Sequence, residues 1–139
     1  MQTLTLSDAS RYIAGVVLLT IVTIEFGGTF LVKVVRGAVP LTDFQKSFAR
    51  AGHAHAGVLV TLGLVCLVLA DAASLDGFWG WSARIAVPLA AVLMSGGFFA
   101  SSMGRGEITR PNGFIRILWA GAVSLAYGVL TLGIGLLAG

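Results

Sequence analysis

Charged residues are scarce in this chain of 139 residues, at 11% of the sequence, whereas hydrophobic residues make up 57%. Soluble domains usually carry about 25% charged residues. A soluble protein of this size could not cover its surface with so few polar groups, which excludes a soluble globular domain. The high hydrophobicity also excludes an intrinsically disordered chain. The composition is that of a small membrane protein.

Cysteine is nearly absent as well. The single cysteine, Cys66, has no partner for an internal disulfide and excludes zinc sites built from paired cysteines. The sequence contains no H-E-x-x-H motif, phosphate loop or Ser-His-Asp arrangement, so we identify no catalytic residues and expect the chain not to be an enzyme on its own. The nine basic residues lie at the edges of apolar runs, where they meet lipid headgroups, so nucleic acid is not an expected partner.

Four apolar runs are long enough to cross a bilayer, which takes about 20 residues of helix. They are residues 12–35, 51–70, 84–103 and 114–138. They do not alternate polar and apolar residues as barrel strands do, and a bilayer leaves helices as the other solution. We therefore predict an all-α polytopic membrane protein, with residues 1–139 forming one domain that folds as a four-transmembrane-helix bundle.

The basic residues are concentrated on one side of the predicted bundle. Seven lie in or beside the first and third connections and two lie on the opposite side: Lys33, Arg36, Lys46, Arg50, Arg105, Arg110 and Arg116 against Arg11 and Arg84. By the positive-inside rule, both termini are on the outer side of a bacterial cytoplasmic membrane that the chain crosses several times. The first apolar run is too long for a signal peptide, so we expect it to be retained.

The connections carry their own signals. Thr42 and Gln45 fit a capping box, so helix two is predicted to begin near residue 42, ahead of its apolar run. The segment from Asp71 to Ala83 contains Gly77 and Gly80 and is interpreted as a turn.

Small residues recur at helical spacing and favour close helix packing. Ala120, Ser124 and Gly128 follow one another every four positions in the last span. Because four helices enclose little volume, we expect a homodimer. A larger membrane complex is the alternative setting.

Glu25 is the most distinctive residue, because it lies within the first apolar run without a neighbouring charge until Lys33. A carboxyl group in the centre of a span costs about 3 kcal/mol for insertion, so it is expected to face the bundle interior and to have a partner there. It is a candidate proton carrier, cation site or contact for a cofactor. The alternative is a structural hydrogen bond between helices.

The two histidines of the chain, His53 and His55, lie in the segment GHAHAG at residues 52–57. Two positions along a helix correspond to about 200° of rotation, so the two rings face opposite sides and cannot both bind one metal from one regular helix. An imidazole between such small neighbours suits axial ligation of haem b or a hydrogen bond to a quinone carbonyl. His53, His55 and Glu25 are therefore the candidate cofactor-binding residues, and the two histidines are the candidate metal ligands.

Two further groupings follow from position along the chain. Glu25 and His55 lie at similar depths below basic anchors and could pair if the right faces meet. Arg50, Arg105 and Arg110 lie at the same end of the bundle, where they could form a polar mouth or bind anionic lipid headgroups.

Two stretches carry a family resemblance. The segment from Phe44 to Gly57, with GHAHAG at its end, resembles small four-helix actinobacterial membrane proteins, which implies the four-span architecture without an established activity. The segment from Glu25 to Lys33 resembles the first span of small multidrug resistance transporters. This second resemblance implies that Glu25 exchanges protons for a cationic substrate.

Three functions follow from these observations. The first is an intramembrane Glu/His site that binds haem b or a quinone-like ligand in a redox or cofactor-handling role. The second is a small proton-coupled transporter that uses Glu25. The third is a structural or assembly subunit of a membrane complex, in which the polar residues only hold helices together.

Overall fold

The computed structural model describes residues 5–138; the predicted domain bounds 1 and 139 lie outside this range. Four helices account for most of the described chain: α1 (Asp8–Val35), α2 (Asp43–Ala72), α3 (Gly77–Ser101) and α4 (Ile115–Ala138). No strand occurs between residues 5 and 138. Each helix is long and apolar enough to cross a membrane, which confirms an all-α fold of four potential spans.

Consecutive helices run antiparallel. Contacts between them pair the end of one helix with the start of the next: α1 with α2 at Ser7–Asp71 and Gly28–His53, α2 with α3 at Asp71–Arg84 and Gly52–Phe99, and α3 with α4 at Gly97–Leu118 and Gly128–Ala86. The first and third connections therefore lie at one end of the bundle, which we call the basic end because Arg50, Arg105 and Arg110 belong to it. The opposite end, with the α2–α3 connection, we call the Arg84 end.

The core is divided into two clusters along α2 and α3. One joins α1 to these helices through Val17, Leu59, Val60, Ala91 and Met94. The other joins α4 to them through Cys66, Ala70, Ala83, Val87 and Leu132. The cysteine is thus a buried apolar residue, as free thiols often are.

Helix α1 is the least embedded of the four. Three of its 28 residues are buried, whereas eleven residues of α3 are buried. Helix α1 packs mainly on α2 and touches α3 only slightly. Its outward face exposes large apolar side chains such as Leu19, Val22 and Phe26, which fits contact with lipid or another protein.

The predicted start of α2 is confirmed. The Thr42 hydroxyl accepts a hydrogen bond from the backbone N–H of Gln45, and the Gln45 side chain accepts one from the backbone N–H of Thr42. The Gln45 amide also donates to the Ser102 carbonyl at 2.9 Å, so the cap joins α2 to the end of α3. The capping box therefore fixes both the start of a helix and the position of its neighbour.

The prediction of a turn from Asp71 to Ala83 is wrong in extent. Helix α2 continues to Ala72 and α3 begins at Gly77, which leaves a connection of four residues, 73–76. Gly80 lies in the first turn of α3. A Cβ at this position would collide with the Leu75 carbonyl oxygen and come within 2.7 Å of the Arg84 guanidinium, so the position requires glycine. The glycine therefore allows close packing and does not mark a turn.

The small-residue face of α4 packs on α3, although the predicted register is partly wrong. Ser124 donates to the Ala86 carbonyl at 2.8 Å, and a Cβ on Gly128 would approach the Ala86 Cβ to 2.8 Å. Gly121 belongs to this face, whereas Ala120 is exposed. Because the helix turns about 100° per residue, the residues of one face are three or four positions apart, and Gly121 takes the place predicted for Ala120.

Candidate functional site

The two histidines of α2 face different helices, as their spacing predicts. His53 lies in the seam between α1 and α2, where an ideal Cβ position on Gly27 is 3.5 Å from its Nδ1 and one on Gly28 is 3.7 Å from its Nε2. His55 faces α3, and its ring centroid is 4.9 Å from that of Phe98. The structure therefore does not bring both rings to one ion.

His55 is held in a defined orientation. Its Nδ1 lies 2.8 Å from the carbonyl oxygen of Ala51, one turn earlier on the same helix. Because a carbonyl only accepts, Nδ1 donates this hydrogen bond, and in the neutral imidazole the lone pair is then on Nε2. A histidine that donates through one ring nitrogen in this way is oriented like many metal ligands.

The expectation that Glu25 faces the bundle interior is wrong for the single chain. Glu25 is exposed, and its side chain makes no hydrogen bond or salt bridge within residues 5–138. The face of α1 that packs on α2 contains Val17, Ile24 and the Gly27–Gly28 pair. Glu25 follows Ile24 directly, so its side chain is rotated about 100° away from this face. The carboxyl group therefore points to the flank of α1.

The pairing of Glu25 with His55 is also not observed, because His55 faces α3. His53 is instead the histidine that lies in the α1–α2 seam, less than one turn nearer the basic end than Glu25. Glu25 lies three residues before Gly28, and residues three apart have Cβ atoms about 5–6 Å apart on one helix face. The ideal Cβ position of Gly28 is 3.7 Å from His53 Nε2, so Glu25 and His53 flank the same turn of α1.

A lateral cleft opens beside this seam, between α1 and α3, with α2 as its floor. Its volume is about 550 Å³, and its lining is almost entirely apolar. Ala56, one turn along α2 from His53, lines its inner end together with Ile24 and Ser95. A hydrophobic molecule could therefore enter from the side and reach the neighbourhood of His53.

The predicted basic mouth consists of exposed side chains. Arg50, Arg105 and Arg110 are exposed and form no salt bridge within the described residues. The polar residues beside them have structural roles: Asn112 donates to the Ala100 carbonyl at 2.9 Å, and Ser102 is buried under Gln45. The arrangement suits contact with anionic headgroups more than an open polar channel.

A polar network at the Arg84 end was missed by the sequence reasoning, which treated Arg84 as a topology residue. Arg84 is 7% exposed and donates to Asp71 at 2.6 Å, to the Ser10 hydroxyl at 3.0 Å and to the Leu75 carbonyl at 2.8 Å. Asp71 also accepts from the backbone N–H of Ser7 at 2.9 Å. We call these five residues the Arg84 network; it joins the first three helices.

The sequence contains one weak indication of this network. Asp71 closes one apolar run, and Arg84 opens the next. Opposite charges at facing helix ends are candidates for pairing, although the sequence does not show that Ser10 completes the site. Between residues 5 and 138, no group of three His, Cys, Asp or Glu side chains is placed to hold a metal ion.

No protein-family model, curated protein or solved structure matches this chain.

Proposed function

We propose that this protein binds a quinone-like ligand inside the membrane, with His53 as a hydrogen-bond donor to a ligand carbonyl and Glu25 as the group that exchanges a proton with His53. The observation that carries this proposal is the position of His53, which lies in the α1–α2 seam within one turn of both Glu25 and the lateral cleft. Apolar clefts with a few polar groups at one end are typical of small-molecule sites.

Membrane orientation and assembly complete the proposal. We place the basic end on the cytoplasmic side of a bacterial inner membrane, where the exposed arginines meet anionic lipid headgroups. An uncovered Glu25 in lipid costs about 3 kcal/mol, so we propose that a second copy of the chain covers this flank of α1.

A substitution of His53 that keeps an aromatic ring tests the proposal. The probe is a decyl-substituted benzoquinone, and the measurement is the melting temperature of the protein in lipid nanodiscs. A ligand at 100 times its Kd stabilises the folded state by about 2.7 kcal/mol. We expect the wild-type protein to be stabilised, His53→Phe to lose most of this stabilisation, and the control His55→Phe to retain it.

Glu25→Gln separates the roles of the two residues. We expect it to preserve binding and to weaken the dependence of binding on pH, because glutamine cannot exchange a proton. Absence of stabilisation in the wild-type protein would overturn the proposal. Proton uptake that requires Glu25 in the absence of quinone binding would instead support a transporter.

Haem b is the second candidate, favoured by the orientation of His55, whose Nε2 keeps its lone pair. A haem on His55 would need a site other than the cleft, because His55 packs against Phe98 and does not line the cleft. An absorption spectrum of the purified protein, oxidised and then reduced with dithionite, separates the two. A Soret band that His55→Phe abolishes would favour haem b, and a featureless visible spectrum after expression with ample haem would remove it.

A further inference from the structure

The lateral cleft is open to the lipid side along its length. Its outer part is lined by Tyr12, Leu89 and Val92, which are 76%, 46% and 66% exposed. Its volume, about 550 Å³, lies within the range of about 300–1,000 Å³ that is usual for small-molecule sites. A membrane helix is about 10 Å wide and 30 Å long, so the cleft is too small to enclose one.

Ser95 gives the cleft its distinctive polar group. It is 8% exposed and lines the cleft, and its hydroxyl is the buried side-chain oxygen that lacks a hydrogen-bond partner between residues 5 and 138. Thr20 and Thr23 also line the cleft, but each donates to a carbonyl of its own helix at 2.6 Å. Since buried hydroxyl groups nearly always have a partner, this hydroxyl is available to donate a hydrogen bond, and a rotation about the Cα–Cβ bond of Ser95 turns it into the cleft.

The register of the helices places Ser95 near the α1–α2 seam that holds His53. Gly52 meets Phe99, and Gly63 meets Pro88, so Ser95 lies at the level of Ala56 on α2. Ala56 is one turn from His53. The only unpartnered buried hydroxyl of the described chain is therefore at the end of the cleft closest to the proposed proton-exchanging residues.

We infer that the cleft is the binding site of a carbonyl-bearing ring compound with an apolar chain, of the quinone class, and that Ser95 donates a hydrogen bond to its carbonyl. The chain of the ligand then lies along the cleft toward Tyr12. The naming of a quinone rests on the proposed function, whereas the cleft and the Ser95 donor do not depend on Glu25 or His53.

A phospholipid does not satisfy the same geometry. Ser95 lies six residues, or about 9 Å, inside the end of α3. A phospholipid keeps its ester carbonyls near the membrane surface and presents only methylene groups at greater depth, so it leaves the Ser95 hydroxyl without an acceptor. A ring carbonyl carried into the bilayer by an apolar chain supplies one.

Photo-crosslinking in nanodiscs of defined phospholipid composition tests the inference. The probe is a benzoquinone with a diazirine on a decyl chain, and labelled residues are mapped by mass spectrometry. We expect labels on the cleft residues of α1 and α3, and competition by unlabelled decyl benzoquinone. A photoactivatable phosphatidylcholine is the comparison, and equal labelling and equal competition by this lipid would overturn the inference.

Three variants make the test specific to the cleft. We expect Ser95→Ala to weaken probe binding roughly fivefold, as the loss of one hydrogen bond does. Ser95→Ala should not lower the melting temperature of the ligand-free protein, because it removes an unsatisfied group. Val92→Trp fills the exposed mouth of the cleft and should block labelling. Ser124→Ala is the control, because that hydroxyl is bonded to the Ala86 carbonyl outside the cleft.

The results also separate this inference from the proposed function. Cleft labelling that depends on Ser95 but not on His53 would retain the binding site and remove the role of His53. Labelling that is unchanged in both Ser95→Ala and Val92→Trp would overturn the cleft site, whatever His53 does.

Discussion

The Arg84 network allows a quantitative prediction about stability. In Arg84→Met, Asp71 loses its guanidinium partner and keeps only neutral donors, the Ser7 N–H and the hydroxyl groups of Ser7 and Ser10. The side chains of Arg84 and Asp71 are 9% and 4% exposed, so the remaining carboxyl group is poorly solvated. Removing one partner of a buried ion pair costs about 3–5 kcal/mol.

We therefore expect Arg84→Met to lower the free energy of unfolding by about 4 kcal/mol, a large part of the roughly 5–15 kcal/mol that stabilises typical proteins. The assay is reversible unfolding in mixed detergent micelles, followed by circular dichroism. The double variant Asp71→Leu/Arg84→Met removes both charges and should be much less destabilised than Arg84→Met alone. A loss below about 1 kcal/mol in Arg84→Met, or additive losses in the double variant, would refute the reasoning.

Four further substitutions test the helix packing and the capping box. Gly97→Ala would place a Cβ 2.5 Å from the backbone nitrogen of Leu118 and should destabilise the protein by about 1–3 kcal/mol in the same unfolding assay. Gly96→Ala is the control: its Cβ would meet open space, so this variant should be neutral or stabilising. Gln45→Ala should lower the melting temperature, because it removes the capping box and the hydrogen bond to the Ser102 carbonyl. Gln45→Glu should recover part of this loss, because glutamate still caps the helix but cannot donate to the Ser102 carbonyl.

The sequence predicted those features that depend on local periodicity. The four helices follow from the apolar runs, the start of α2 from the Thr42–Gln45 capping box, and the opposite orientations of His53 and His55 from the rotation of the helix. Each depends on residues close together in the chain, so propensity and spacing are sufficient to predict it.

Features that depend on contacts between distant segments were not predictable in the same way. The sequence placed Glu25 in the interior because of the cost of burial in lipid, but the face that α1 presents is decided by which of its residues fit α2. The Arg84 network requires Ser10 and Arg84, from different helices, to meet. The cleft and the unpartnered Ser95 hydroxyl appear only when three helices are assembled.

The presence of only two histidines makes one measurement especially direct. The measurement is nuclear magnetic resonance of the protein in nanodiscs with ¹⁵N-labelled histidine. The ring-nitrogen signals that disappear in His55→Phe belong to His55, and the remaining ones belong to His53. On addition of decyl benzoquinone, we predict that the ring-nitrogen signals of His53 shift and that those of His55 do not. Unchanged signals at saturating probe, or a shift of the His55 signals alone, would contradict a quinone-like site at the α1–α2 seam.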